Sequence, residues 1–222
     1  MAQHDLPELL YIYDAYCGWC YGMSPVLLRV QEAFSDRLTV NVLSGGMLTG
    51  EQAEPIGEGW DYISQAMPQV ERATGVQFGE AYKQLGAQGT YWQDSEAPAR
   101  ALYVFRQLDE LQRVLPFAHD VQRALFWAGR DLNQAATYEP LVETYRLPAA
   151  SFRRLFDLPE TAAAVQQEFG AVRRIGVQGF PTVILRVGAQ GYVLARGFQP
   201  YDVFVAGLEQ ALAQAEEEQT GR

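Results

Sequence analysis

The sequence predicts an α/β fold that is interrupted by a long helical block. A short apolar run at 9–13, a helical pattern and an alternating run at 38–43 form a βαβ unit, normally a right-handed crossover between parallel strands. About a hundred residues of helical periodicity follow, without a convincing strand. A β-branched apolar run at 182–187 then restores the α/β pattern.

The first unit carries the strongest local signals. The apolar run Leu9–Tyr13 is typical of a central strand buried on both faces. A helix is expected from Cys17 to about residue 34, with a kink at Pro25, where a backbone hydrogen bond is lost. The run at 38–43 alternates as a half-buried strand does.

The pattern of the central block predicts a series of helices separated by Pro and Gly. Helices are expected at 60–74, at 116–128, at 138–145 and at 149–156. A further helix, with Ser95 as its cap and Ala97-Pro98 in its first part, would carry Leu102, Phe105 and Leu108 on one face. Its aromatic residues are expected in the core: Tyr91, Trp92, Phe126 and Trp127.

The last part of the chain predicts a helix, a hairpin and a closing helix. The expected elements are a helix at 160–175, strands at 182–187 and 192–196 joined by a loop at 188–191, and an amphipathic helix from 201 to about 218.

The motif Cys17-Gly18-Trp19-Cys20 contains the only two cysteines of the chain. On a helix, residues three apart share a face, with Cα atoms about 5 Å apart, which a disulfide accepts. If the helix begins at Cys17, its free N–H groups and dipole favour a thiolate there. Cys20, one turn later, is placed to resolve a mixed disulfide. The motif therefore predicts a dithiol redox centre.

Three other interpretations of the cysteine pair remain open. Half a zinc site would need further ligands, and besides carboxylates the chain offers only His4 and His119. Two packed structural cysteines would act as small apolar residues. A structural disulfide across so short a loop would stabilise little.

Two roles are open for Asp14, at the end of the first strand. An Asx turn that closes the strand is the simpler one. A carboxylate near Cys17 would instead accept protons or raise the pKa of a thiol.

Composition and charge narrow the function classes. The formal net charge of −10 makes a nucleic-acid or anionic-membrane partner unexpected. Met1–Asp5 shows no basic region followed by an apolar one, and no run approaches the length of a membrane-spanning helix. A cytoplasmic location is therefore expected, and in that reducing environment a lone dithiol is expected to be catalytic and not structural.

A strand, a Cys-x-x-Cys that opens a helix, a second strand and the late motif Gly179-Phe180-Pro181-Thr182 together resemble the thioredoxin fold. Pro25 resembles the helix-kinking proline of that fold. The large helical insertion resembles the DsbA-type branch, which includes hydroxychromene-carboxylate isomerases and kappa-type glutathione transferases. The resemblance implies a thioredoxin-like domain at 1–46 and 159–222 and an inserted all-helical domain at 47–158.

The resemblance also implies roles for the site residues. Cys17 would be the nucleophile and Cys20 the resolving thiol, with Gly18 and Trp19 shaping the site. Pro181 would be cis, which leaves the Phe180 backbone to pair with an extended substrate. Gly18-Trp19 departs from the Pro-His pair of strongly oxidising members, because tryptophan carries no charge to stabilise a thiolate. The bulk of Phe180 is expected to restrict the substrates.

The expected function is a thiol–disulfide oxidoreductase that reduces or isomerises protein disulfides without a metal or resident cofactor. A thioredoxin or glutathione system would supply electrons, and in the second case glutathione would be a co-substrate. One alternative is a glutathione-dependent isomerase or transferase for an aromatic small molecule, with its pocket in the insertion. Another is a non-enzymatic protein that binds unfolded chains or a partner.

Overall fold

The computed structural model describes residues 6–109 and 112–220. Met1–Asp5, with His4, therefore lies outside the described residues. The fold is mixed α/β, with one four-stranded sheet and a helical block between its second and third strands. The elements in chain order are β1 (Glu8–Tyr13), α1 (Gly18–Ala33), β2 (Thr39–Ser44), β3 (Glu54–Pro55), α2 (Ile56–Thr74), α3 (Glu80–Gln88), β4 (Trp92–Gln93), α4 (Glu96–Leu108), α5 (Val114–Phe126), α6 (Ala135–Thr144), α7 (Ala149–Phe156), α8 (Pro159–Arg174), β5 (Thr182–Val187), β6 (Gln190–Arg196) and α9 (Tyr201–Thr220).

The sheet has the strand order β2-β1-β5-β6. β1 pairs in parallel with β2, with Tyr11 opposite Val42, as the βαβ prediction requires. β5 runs antiparallel to both β1 and β6. β1 is therefore central, and the carboxyl ends of β1 and β2 lie at the same edge, where α1 begins.

The inserted block is not all-helical, which corrects the sequence prediction. β3 and β4 form a two-residue antiparallel ladder, in which Glu54 pairs with Gln93. A strand of two residues is too short to show the alternation of apolar and polar residues by which strands are predicted. The pairing of β3 with β4 therefore could not be predicted from the local sequence. The helix α3 was not predicted either, and it lies between Gly79 and Gly89.

The aromatic residues of the block divide between core and surface. Tyr91 and Phe126 are buried as expected, but Trp92 and Trp127 are about half exposed, so the core prediction was wrong for both tryptophans. Ser95 precedes α4, but its side chain does not cap that helix; its Oγ accepts a hydrogen bond from the Leu48 amide.

One hydrophobic cluster connects the sheet to the inserted helices. Tyr11 and Leu27 belong to the same buried cluster as Phe117 of α5 and Phe105 of α4, whose rings stack 4.0 Å apart. Polar contacts reinforce the connection, because Arg106 of α4 pairs with Glu168 of α8, which accepts a hydrogen bond from the Ser44 amide. The block is thus packed against the sheet and positions groups beside α1. The residue boundaries proposed above for two domains stay a prediction.

Gly79 gives a direct test of this packing. Its amide donates to the Phe126 carbonyl at 2.8 Å, and an added Cβ would lie 2.0 Å from the Trp127 carbonyl oxygen. Because backbone atoms cannot yield as a side chain does, Gly79→Ala should lower the free energy of unfolding by about 1–3 kcal/mol. Urea denaturation measures this change.

Gly207→Ala is the matched control, since a Cβ at Gly207 of α9 meets no atom within 4 Å. This variant should be neutral or stabilising, by up to about 1 kcal/mol, because alanine favours a helix. Equal midpoints for the two variants would contradict the described packing of α3 against α5.

Candidate active site

The turn between β1 and α1 is held by the Asp14 carboxylate. Oδ1 accepts the Tyr16 amide at 3.0 Å, which is the expected Asx turn, and Oδ2 accepts the Met47 amide at 2.8 Å. The Asp14 carbonyl accepts the Cys17 amide at 3.1 Å. The side chain, only 1% exposed, therefore closes the turn and ties it to the segment after β2.

Cys17 occupies the cap position at the start of α1, which confirms the predicted helix start. Its Sγ accepts a hydrogen bond from the Cys20 amide at 3.4 Å. The thiol lies 3.5 Å from the Phe180 carbonyl oxygen, to which it donates. The sulfur is thus in contact with a free N–H of the first helical turn, where the helix dipole favours negative charge.

Cys20 lies one turn later and is fully buried, whereas Cys17 is 7% exposed and lines a cavity. Both are free thiols. Burial raises the pKa of Cys20 well above its usual range, and the hydrogen bond and charge of Cys17 act in the same direction. The two thiols are therefore unequal: Cys17 borders a cavity, whereas Cys20 lies inside the protein, where burial raises its pKa.

Asp14 is also unusual electrostatically. Burial raises the pKa of its carboxyl, although the hydrogen bonds from Met47 and Tyr16 favour the carboxylate and oppose that effect. Asp14 acts on the pKa of Cys20 in two ways: a hydrogen bond with its backbone lowers that pKa, and the smaller effect of its charge raises it. A carboxyl and a thiol with raised pKa values are thus close enough to influence each other's proton.

The loop before β5 faces the dithiol. The Phe180–Pro181 peptide bond is cis, as predicted, and Thr182 Oγ1 donates to the Gly179 carbonyl at 2.8 Å. The Phe180 ring lies against Gly45, where an added Cβ would come within 1.9 Å of it. The loop therefore presents the Phe180 carbonyl to Cys17.

The two residues between the cysteines face different neighbours. The Trp19 ring lies 6.3 Å from that of Phe198. Gly18 approaches Phe78, and a Cβ there would be 3.3 Å from its ring. A larger residue at position 18 would therefore press against the inserted block.

A cavity of about 350 Å³ opens beside Cys17, between the motif and α2. Phe180 closes one side of it, and Glu54 is the one charged residue among the described residues that line it. The remaining lining is largely apolar: Met47, Leu48, Ile63, Ala66, Met67, Val70, Phe78 and Phe126. The cavity suits an uncharged, apolar group next to Cys17 Sγ.

A second, polar cleft lies on another side of Phe180. Its volume is about 480 Å³, and its lining includes Gln178, Thr182 and Arg196. The guanidinium of Arg196 gives this side of the site a positive charge that the apolar cavity lacks.

Gln122 belongs to the site but was missed by sequence reasoning. It lies on α5 in the inserted block, is fully buried, and donates from Nε2 to the Asp14 carbonyl at 3.2 Å and the Cys17 carbonyl at 3.4 Å. No local pattern marks it, because its partners lie over a hundred residues earlier in the sequence.

The zinc interpretation receives no support from His119, which stacks on Tyr21 with ring centroids 5.9 Å apart. Burial lowers the pKa of His119. Among the described residues, no three His, Cys, Asp or Glu side chains lie close enough together to hold a metal ion.

Comparison with known proteins identifies the family. The model of the DSBA-like thioredoxin domain matches residues 9–209. The chain belongs to the DSBA-like thioredoxin domain family. The membership confirms the predicted thioredoxin fold with a large insertion, and the predicted enzyme of the DsbA-like disulfide oxidoreductase class. No curated protein matches the chain at a significant level.

Solved structures agree with this DsbA-like assignment. A Nitrosomonas europaea protein, provisionally assigned as a protein disulfide isomerase, has a TM-score of 0.83 at 25% identity, covering 95% of this chain and 99% of that one. The cytosolic disulfide reductase DsbM from Pseudomonas aeruginosa has a TM-score of 0.78 at 27% identity, covering 93% of this chain and 99% of DsbM. DsbM has also been solved with GSH. Reduced DsbA1 from Neisseria meningitidis, at 14% identity, has a TM-score of 0.61, covers 100% of this chain and 91% of that one, and shares the fold.

The unequal thiols of this DsbA-like site predict selective alkylation. Iodoacetamide at neutral pH should modify Cys17 at least about tenfold faster than Cys20, because Cys20 is fully buried and its pKa is raised. Peptide mapping by mass spectrometry after timed quenching measures both rates. Denatured protein is the control, in which the rates should converge; equal rates in the native protein would refute the difference.

Proposed function

We propose that this DsbA-like protein is a thiol–disulfide oxidoreductase that reduces or isomerises disulfides in polypeptides, with Cys17 as nucleophile and Cys20 as resolving thiol. The observation that carries the proposal is the position of Cys17 Sγ. It lies at the start of α1, accepts the Cys20 amide, and is 3.5 Å from the Phe180 carbonyl at the edge of a cavity.

The proposed reaction has two exchange steps. The Cys17 thiolate attacks one sulfur of the substrate disulfide, and the released sulfur leaves as a thiolate that takes up a proton. Cys20 then loses its proton and attacks Cys17 Sγ, which releases the second substrate thiol and forms the Cys17–Cys20 disulfide. Two electrons pass from the protein to the substrate. In isomerisation, a different substrate thiol attacks the mixed disulfide and regenerates Cys17.

Asp14 is the proposed proton acceptor for the second step. Cys20 must lose its proton to attack, yet burial holds it as a thiol. Asp14 is buried beside it with a carboxyl pKa raised by that burial, so it binds a proton more readily than an exposed aspartate does.

The apolar cavity supports polypeptides as the substrate class. Its lining from α2 and Met47 suits an apolar side chain close to the substrate cysteine, and Glu54 disfavours an anionic group there. The Phe180 loop would hold the neighbouring backbone. Gly18 and Trp19 would form the floor of this site, and Pro181 would fix the loop.

A cellular thiol system is the proposed electron source, and glutathione fits one feature of the site. Glutathione carries two carboxylates, and the cleft that contains Arg196 offers the positive charge for one of them. The relative DsbM is cytosolic and was solved with GSH, which supports a cytoplasmic, glutathione-linked role. Within the part of the chain that the structure describes, no helix has the length and apolarity needed to cross a membrane.

Replacement of each cysteine tests the division of roles. Cys17→Ser should abolish insulin disulfide reduction, because the attacking sulfur is gone. Cys20→Ser should retain the first exchange and accumulate mixed disulfides, which non-reducing electrophoresis and mass spectrometry detect. The reverse pattern, with adducts accumulating on Cys20 in Cys17→Ser, would contradict the assignment.

Ile63→Ser tests the apolar cavity. Ile63 lines the cavity, so kcat/KM for a peptide disulfide with an aromatic residue beside its cysteine should fall roughly fivefold to tenfold. Turnover of hydroxyethyl disulfide, which carries no aromatic group to fill the cavity, should change little. Val203→Ser is the control, since Val203 is an exposed residue on α9. If Ile63→Ser lowered kcat/KM equally for both disulfides, the cavity would have no part in substrate selection.

A further inference from the structure

We infer that Gln122, on a helix of the inserted block, is a positioning residue that sets the redox equilibrium of the Cys17–Cys20 pair. The inference rests on the proposed function, since it concerns the same dithiol. It assigns to the insertion a role in the redox chemistry itself, in addition to lining the cavity.

The geometry places one carboxamide across both ends of the motif's turn. Nε2 donates to the Asp14 carbonyl at 3.2 Å and to the Cys17 carbonyl at 3.4 Å. Because carbonyl oxygens only accept hydrogen bonds, these two contacts determine which end of the amide faces the turn. Oε1 then faces Ser24, whose Oγ lies 2.9 Å away and also 3.0 Å from the Cys20 carbonyl.

The two carbonyls that Gln122 binds already have backbone partners. The Asp14 carbonyl accepts the Cys17 amide, and the Cys17 carbonyl accepts the Tyr21 amide, both at 3.1 Å. Gln122 therefore adds a second donor at the first and last residues of the turn. These bonds stabilise the backbone from which the Cys17 side chain projects toward Cys20 N and Phe180 O.

The N–H donors of Gln122 also change the electrostatic environment of the turn that bears Cys17. The carbonyls of Asp14 and Cys17 carry partial negative charge at the two ends of the turn that bears Cys17, and the carboxamide N–H groups offset it. Such an offset in a fully buried site stabilises the thiolate, and hence the reduced protein, relative to the disulfide. A stabilised reduced form makes a dithiol pair more oxidising.

The test is the equilibrium of the full-length protein with reduced and oxidised glutathione, read by mass spectrometry after acid quenching. Gln122→Leu removes both ends of the carboxamide, and Gln122→Glu keeps an acceptor toward Ser24 but removes both donors. Both variants should shift the equilibrium at least about threefold toward the Cys17–Cys20 disulfide. Ser24→Ala, which keeps both donors, should shift it less and in the same direction.

Thr161→Val separates positioning from general stability. Thr161, a buried residue of α8, donates a hydrogen bond from Oγ1 to the Leu155 carbonyl at 2.7 Å. Its replacement by valine therefore also removes a hydrogen bond of a buried residue. It should lower the free energy of unfolding but leave the glutathione equilibrium unchanged. If the Gln122 variants also lower the free energy of unfolding without shifting the glutathione equilibrium, Gln122 is purely structural and the inference is wrong.

Two further outcomes are decisive. If Gln122→Leu does not fold, an unshifted equilibrium in both Gln122→Glu and Ser24→Ala overturns the inference. If the unchanged protein forms no Cys17–Cys20 disulfide in any glutathione buffer, the proposed function fails, whatever the variants show.

Discussion

The site depends on the short turn that converts the end of β1 into the start of α1. Asp14 makes this turn possible, because its buried carboxylate and its carbonyl together accept three backbone amides. The turn leaves Cys17 at the helix start, where N–H groups are available to a sulfur, and puts Cys20 inside. The difference in burial between the two thiols, on which the proposed two-step exchange depends, follows from that geometry.

The insertion contributes to the site through close packing. Its helices share one hydrophobic cluster with the sheet, so α2 and α5 hold fixed positions beside the motif. α2 supplies a wall of the apolar cavity, Phe78 lies against Gly18, and α5 places Gln122 on the motif's own backbone. A substrate group in the cavity would therefore contact the insertion and the thioredoxin elements together.

The features that sequence reasoning predicted are those with local causes. The apolar run of β1, the spacing of Cys17 and Cys20 and the proline loop each lie within a few residues, and the structure places them together. The pairing of β3 with β4, the side-chain partner of Ser95 and the role of Gln122 depend on contacts between distant segments. Phe126, the last residue of α5, and Trp127, which follows it, differ in burial because successive residues at a helix end face different directions, which composition cannot decide.

The central claim is that Cys17 and Cys20 form one reversible redox pair. Its most direct measurement is the titration of the reduced protein in glutathione buffers, with the thiol state read by mass spectrometry after acid quenching. The account predicts one two-electron transition to the Cys17–Cys20 disulfide, at a potential between about −270 and about −120 mV. A protein that instead stays fully reduced, or ends as a stable glutathione adduct without an internal disulfide, would contradict the account and favour a glutathione-dependent isomerase or transferase.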